Sequence, residues 1–436
     1  VGPLIATSTL DAEAFGLPSS AEEDSSSAVA QCRELLAALA AWLAEEHGLS
    51  LRQAVFAEVQ VRDLGCFEAV NAAYAQAFDA DPPPRVCIET PLPNGVHVRL
   101  RLLLREGGGG SGAAEVEGLR VQSISTWAMA CIGPYSQAFR AGGLLLSAGV
   151  LGLVPHTMAL PKAAELDATW PSATAGGGAW APEQWEIELW MLLRSLRNVL
   201  LEMRCDWADV RVAHVYVASC GASASDRAVR DHVLGYLRRE APGAAPLLTF
   251  TEQPRLPKDG QVEINVICAA REASDDGCGG GASEDAAVMQ HCDLAAAPDG
   301  DACGVLEVSS VALGNASYVA CADVGAPGGL ATTLQWPALQ AEVARCLRAA
   351  LRALAARTGC APKTVSLQVQ HALAGGVAGD CFGDRAAHAA VIAAVEQGVQ
   401  CAEDEGLVPR ASAVVSYMPA LSLGRSVWLR LIATAC

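Results

Sequence analysis

Apolar residues recur along this chain with two periods, and the periods alternate. Positions 4–8 and 55–61 are short apolar runs of strand length, whereas 27–47 carries Leu35, Leu36, Leu39 and Leu43 at the spacing of a helical stripe. A second helical pattern covers 67–78, and strand patterns at 85–89 and 96–104 close the unit. Between those two strands, Leu92-Pro93-Asn94-Gly95 predicts a joining turn, with Asn-Gly suited to positive φ.

The same order returns twice. Strand patterns lie around 143–153, then a helix at 182–204, a strand at 210–218, a helix at 226–239, and strands at 247–251 and 261–268 joined by Leu256-Pro257-Lys258-Asp259-Gly260. In the last third, strands at 304–311 and 316–324 precede a helix at 337–358, a strand at 364–370, a helix at 384–405, and strands at 411–418 and 426–434. Each unit therefore predicts an α+β domain, a mixed sheet with two helices packed on one face. Two stretches rich in Gly and polar residues interrupt the periodicity and are expected to be linkers. The domain boundaries follow: 1–105, incomplete at its start; a linker over 106–120; 121–272; a flexible linker over 273–302; and 303–436.

Composition narrows the function classes. The 436 residues are 52% hydrophobic and 18% charged, which suits well-buried cores. Thirty basic against 48 acidic residues give a net charge of −18, the wrong sign for a nucleic-acid binder. No apolar run reaches membrane-spanning length. The sixteen cysteines are scattered, contain no C-x-x-C, and often sit inside apolar runs, as Cys205, Cys268, Cys321 and Cys346 do. They are expected to be reduced core residues of a cytoplasmic protein.

Particular motifs sharpen the fold. Val121-Gln122-Ser123-Ile124-Ser125, Trp127 and then Ile132-Gly133-Pro134-Tyr135-Ser136-Gln137-Ala138 resemble the opening signature of the Rid (YjgF-like) family. The Val-Gln-Ser-Ile-Ser run is closer still to the second Rid-like domain of eukaryotic diphthine–ammonia ligases, as are Leu153-Val154-Pro155, Thr157-Met158, Leu256-Pro257-Lys258-Asp259 and Val262-Glu263-Ile264. The first unit resembles the first Rid-like domain of those ligases through Val61-Arg62-Asp63-Leu64, Phe67, Asn71, Tyr74, Phe78 and Pro83-Pro84-Arg85-Val86-Cys87. The last unit carries no such motif and is read as a third, degenerate copy from element order alone. The resemblance implies tandem Rid-like (chorismate-mutase-like) domains. Because Rid proteins are typically trimers with sites between subunits, it also implies a pseudo-trimer within the chain, or else a homo-oligomer.

The same resemblance implies a chemistry. In the deaminase branch an arginine holds the substrate carboxylate, a glutamate on the following strand positions or activates water, and Tyr and Ser of the opening motif line the pocket. Arg85 matches the arginine, with Cys87 two residues on, but the glutamate position of that unit falls near Arg99. In the second unit Glu263 and Tyr135 match, while the arginine position falls near Leu248 or Thr249. The family's Ser-Gly-Gln stretch is here Ala148-Gly149-Val150, or lies around Ser147. Two readings stay open. The sites are degenerate and the units serve structure and interaction, or one composite catalytic site survives, with Arg85 facing Tyr135 and Glu263. Either Arg85 or Glu263 also has a plain reading, as a strand-start residue paired with an acid and as an alternating strand residue. His214 and His371 are expected to be ordinary strand histidines, and His388 is given no role.

The ligase resemblance implies ATP-dependent amidation of diphthine on elongation factor 2. That activity is assigned to an ATP-pyrophosphatase domain with a Ser-Gly-Gly-Lys-Asp-Ser loop, and the loop does not occur in this sequence. No cofactor or metal is therefore expected within the chain, with ATP bound upstream of Val1 or in a domain since lost. The chain itself is expected to scaffold or to recruit elongation factor 2. The alternatives are imine or enamine hydrolysis on a small carboxylate ligand, or a non-catalytic oligomerising role.

Overall fold

The computed structural model describes residues 4–7, 10–17, 25–78, 81–105, 116–141, 143–162, 182–219, 226–244, 246–270, 290–293, 306–313, 317–325, 348, 365–372, 385–406, 413–420 and 427–435. They form three mixed sheets in chain order. The first is built from β1 (Leu4–Ala6), β2 (Ala54–Val61), β3 (Arg85–Glu89) and β4 (Val98–Arg105) in the order β1-β4-β2-β3. Helices α1 (Ser25–His47) and α2 (Phe67–Ala77) cover one face. The expected leucine stripe of α1 is fully buried there with Ala57, Val59 and Val61 of β2. Each such leucine contributes about 1.5–3 kcal/mol of burial free energy.

The second sheet contains β5 (Glu117–Leu119), β6 (Ala138–Ala141), β7 (Leu144–Ser147), β8 (Val150–Leu151), β9 (Val210–Ala218), β10 (Leu247–Gln253) and β11 (Val262–Ala269). Its order is β10-β9-β11-β7-β6-β5, with β8 also on β11. Helices α3 (Gln184–Glu202) and α4 (Asp226–Glu240) pack into its core. The third sheet runs β12-β13-β14-β17-β15-β16, from β12 (Gln290–Asp293), β13 (Leu306–Leu313), β14 (Ser317–Gly325), β15 (Val365–Ala372), β16 (Ala413–Ala420) and β17 (Val427–Ala435), with α5 (Arg385–Asp404) between β15 and β16. Apart from Arg348, the helix expected over 337–358 lies outside the described residues.

One pairing pattern recurs. β2 and β3, β9 and β10, and β15 and β16 are parallel pairs, and each central strand is also antiparallel to the last strand of its sheet. This corrects the expected closing turns. Leu92–Gly95 and Leu256–Gly260 do not make hairpins, because β2 and β9 lie between the strands they connect. A strand–helix–strand crossover makes its two strands parallel neighbours, which leaves the final strand the far side of the first. Gly95 has φ +80°, but the left-handed residues of the second loop are Lys258 and Asp259, at 58° and 56°. Two short strands, β5 and β12, also fall inside stretches expected as linkers, each paired to the outer strand of a hairpin.

The first two sheets meet. Val86 and Ile88 of β3 belong to the same apolar cluster as Met129, Ala138 and Leu145 of the second sheet. Val55 of β2 packs with Phe139, Ala141 and Leu146 of the β6–β7 hairpin. The hairpin strand β6 thus lies against β2, and its counterpart β13 lies against β9.

Candidate functional site

The junction of the first two sheets is built from short motifs. Asp63 accepts a hydrogen bond from Gly65 N at 2.7 Å, and Glu89 Oε2 accepts one from Leu64 N at 2.7 Å. These bonds hold the turn that launches α2. Asn71 and Tyr74, three apart, then share a face of that helix. Both lie against Arg85, the first residue of β3.

Arg85 is 3% exposed. Its Nη2 donates to Asn71 Oδ1 at 2.6 Å. Its guanidinium carbon sits 4.6 Å from the Tyr74 ring centre and 5.6 Å from that of Tyr135. Stacking between two aromatic faces favours the cation. Nε and Nη1, however, have no hydrogen-bond partner among the described residues.

The opening motif of the second sheet explains itself position by position. Gly133 lies so close that a Cβ there would stand 2.8 Å from Arg85 Nη2 and 3.1 Å from Asn71 Nδ2. Tyr135 faces Arg85, with its Oη accepting from Ile132 N at 3.2 Å. Ser136 Oγ donates to Pro82 O at 2.7 Å, tying the motif to the Pro-Pro-Pro-Arg run of the first sheet. Gln137 staples the preceding loop, its amide accepting from Val121 N and donating to Val121 O and Met129 O.

Glu263 enters from β11. It pairs across the sheet with Leu151 and Tyr216 and is 3% exposed. Its Oε2 has no hydrogen-bond partner among the described residues. Gly149 connects it to Arg85: Gly149 N donates to the Arg85 carbonyl at 3.1 Å, and a Cβ on Gly149 would fall 1.7 Å from Glu263 Oε1. Burial pushes the Glu263 carboxyl up to about 8, with the Arg85 charge pulling the other way. Burial likewise pushes the Cys87 thiol up to about 12 and raises the Tyr74 and Tyr135 phenols. At neutral pH the site therefore presents one cation, a protonated carboxyl and neutral thiol and phenol groups.

Arg85, Tyr135 and Glu263, expected from sequence as a composite set, are thus brought to one junction. Asn71, Tyr74, Gly133 and Gly149 join them. The Asn-x-x-Tyr spacing on α2 was the available signal for the first two; nothing in the sequence marked the two glycines as points of close approach. The residues at the two mismatched positions have partners of their own. Arg99 is ion-paired to Asp11 at 2.9 Å, and Thr249 Oγ1 lies 2.7 Å from His214 Nδ1. The side chains of His371 and His388 lie outside the described set. Among the described residues, no cluster of three metal-ligating side chains occurs, and no helix is long and apolar enough to cross a membrane.

No family profile matches the chain. It is 30% identical over 140 residues to a RutC family protein of Synechocystis, an alignment covering 32% of this chain and 88% of the relative. It is 32% identical over 115 residues to the diphthine–ammonia ligase of Schizosaccharomyces pombe and over 114 residues to that of Saccharomyces cerevisiae. These matches cover 26% and 23% of this chain but only 18% and 17% of the ligases. Among solved structures, the E. coli yjgF gene product matches at 20% identity with TM-score 0.26, over 35% of this chain and 99% of its own. RidA of an Antarctic Psychrobacter matches at 23% and 0.26, over 34% and 99%.

Proposed function

The chain belongs to the RutC family, and on that footing we propose that the junction of its first two sheets binds and hydrolyses a small imine or enamine bearing a carboxylate. The observation that carries this reading is a buried arginine with two unsatisfied donors beside a buried glutamate with an unsatisfied oxygen. Leaving such groups unpaired costs free energy, and they persist where a ligand completes them. Arg85 takes the carboxylate. Glu263, protonated near neutral pH, donates its proton to the imine nitrogen; the resulting carboxylate takes a proton from water as the oxygen adds to carbon. Glu263 then passes that proton to the amino nitrogen and takes up the hydroxyl proton, so that ammonia leaves and a carbonyl product remains. Tyr135 and Tyr74 wall the site and hold Arg85 in place.

The test is ammonia release from freshly generated 2-aminoacrylate. Acceleration over buffer that Arg85→Met abolishes supports the reading; a rate equal to buffer rejects it.

A second reading rests on the partial matches to two ligases. In it the chain is the Rid-like part of a diphthine–ammonia ligase, three tandem domains arranged as a pseudo-trimer, and it helps recruit elongation factor 2. The recurrence of β6 against β2 as β13 against β9 supports the arrangement. In this reading the ATP-dependent amidation is the work of a separate ATP-pyrophosphatase domain. The free cysteines among the described residues accord with a cytoplasmic location. Calorimetry of the purified chain with elongation factor 2 tests recruitment, and absence of binding removes it.

A further inference from the structure

The three sheets repeat one pairing pattern, so the strand positions of Arg85 and Glu263 have counterparts in each sheet that can be read from strand register. Arg85 pairs with Ala57, three residues before Gln60, which pairs with Arg99. In the second sheet the corresponding pairs are Ala213 with Leu248 and Tyr216 with Glu263. In the third they are Leu367 with Val415 and Gln370 with Arg430. The face assignment follows from the two-residue period of a strand. Ala57, Val59 and Val61 join the helix-covered core of the first sheet, as Ala213, Val215 and Val217 join that of the second.

The arginine position is therefore Arg85, Leu248 and Val415 in turn, and the acid position is Arg99, Glu263 and Arg430. A shift of one or two positions along any of these strands does not alter the outcome. β10 and β16 contain no arginine at any position, and β4 and β17 contain no acid. The working site takes its arginine from one sheet and its acid from the next. Applied again, that rule pairs β10 with β17 and β16 with β4, and neither pair has an arginine on its first strand or an acid on its second; the Glu252 of β10 and Arg430 of β17 stand the other way round. At the acid position of β4, Arg99 is instead bonded to the chain's own Asp11 carboxylate.

We propose that the chain carries a single carboxylate-binding site, at the junction of its first and second sheets, and that the counterpart strand pairs have lost both halves of it. The proposal rests on the composite-site reading above and adds its stoichiometry. The three-sheet architecture serves one site: the first sheet supplies the cation, the second the acid and tyrosine, and the third neither.

Equilibrium dialysis of the full chain with radiolabelled pyruvate tests this. Pyruvate offers a carboxylate for Arg85 and a carbonyl beside Glu263. The expected result is one equivalent bound per chain at saturation, lost in Arg85→Met and weakened at least tenfold in Arg85→Lys, with circular dichroism confirming the fold of each. Two or three equivalents, one of them removed by Arg85→Met, would overturn the single-site count while leaving the junction site standing. One equivalent that survives both substitutions, or none in the parent chain, would overturn the count and the composite-site reading together.

Discussion

Arg85 and Arg99 both belong to the first sheet and both are almost wholly buried, yet their surroundings treat them in opposite ways. Arg99 Nε is 2.9 Å from the Asp11 carboxylate. Its neighbour Arg101 lies 3.7 Å from Glu58, which also accepts from Gln60 Nε2 at 2.6 Å. Arg85 has one amide, two aromatic faces and two donors without a partner. A buried charge that serves the fold is neutralised within the fold; one that awaits a ligand is held in position and left short.

The contrast can be broken most directly by making the same substitution at both sites. Arg99→Met removes one member of a buried ion pair and is expected to cost on the order of 3 kcal/mol. Arg85→Met replaces an incompletely satisfied charge by an apolar side chain of similar length. It is expected to change stability by less than about 1 kcal/mol in either direction, while carboxylate binding disappears. Urea denaturation midpoints at unchanged slope give both values. Equal losses for the two variants would make Arg85 a structural residue and end the comparison.

Glu263 sharpens it through pH. Its carboxyl moves from an ordinary 4.5 to about 8 on folding, chiefly by burial. The folded state therefore holds this proton more tightly than the unfolded chain does. That contribution to stability is complete below about 4.5 and is lost as pH rises through about 8. Glu263→Gln cannot ionise, so its stability relative to the parent should improve from pH 5 to about pH 8 and level off above it, by several kcal/mol at order of magnitude. Parallel stability curves for the two chains would mean that the carboxyl is not held protonated. The variant should bind pyruvate near pH 7 and hydrolyse no imine.

A smaller effect is expected at Gly133. An alanine Cβ would press on the side-chain ends of Arg85 and Asn71 rather than on backbone. Gly133→Ala should therefore cost about 1 kcal/mol or less in stability and weaken carboxylate binding roughly tenfold by turning the guanidinium. Unchanged affinity would show that the guanidinium needs no such clearance.

Most elements were legible because each has a strong local period. The stripe through Leu35, Leu39 and Leu43 marks α1, and the alternation around Glu263 marks β11. What escaped was whatever depends on pairing across the chain. The order β4-β2-β3, which removes the expected hairpins, is set by the crossover through α2 and has no local signature. The site was legible as residue types, since Arg85, Tyr135 and Glu263 stand in recognisable motifs. Their convergence was an expectation only through the family resemblance, because it depends on Val86 and Ile88 of one sheet packing into the core of another. Gly133 and Gly149 stood in quoted motifs, but their role did not show for the same reason: a glycine shows in a sequence, and the side chain that needs its missing Cβ does not.

The smallest effect belongs to a third arginine, which controls for charge itself. Arg255 also spans the two sheets, lying 3.8 Å from Asp63, 3.9 Å from Glu89 and 3.1 Å from Asp259. It is 43% exposed, unlike Arg85 and Arg99. Water and salt screen such pairs, and holding a long side chain in one geometry offsets much of the attraction. Arg255→Ala is therefore expected to cost less than about 1 kcal/mol, with the difference shrinking further in 0.5 M salt, and to leave pyruvate binding unchanged. A loss above about 2 kcal/mol would mean that this exposed bridge, rather than the apolar contact of Val86 and Ile88, fastens the two sheets together. The geometry of Arg85 and Glu263 would then depend on ionic strength, and binding measured across a salt series would fall with it.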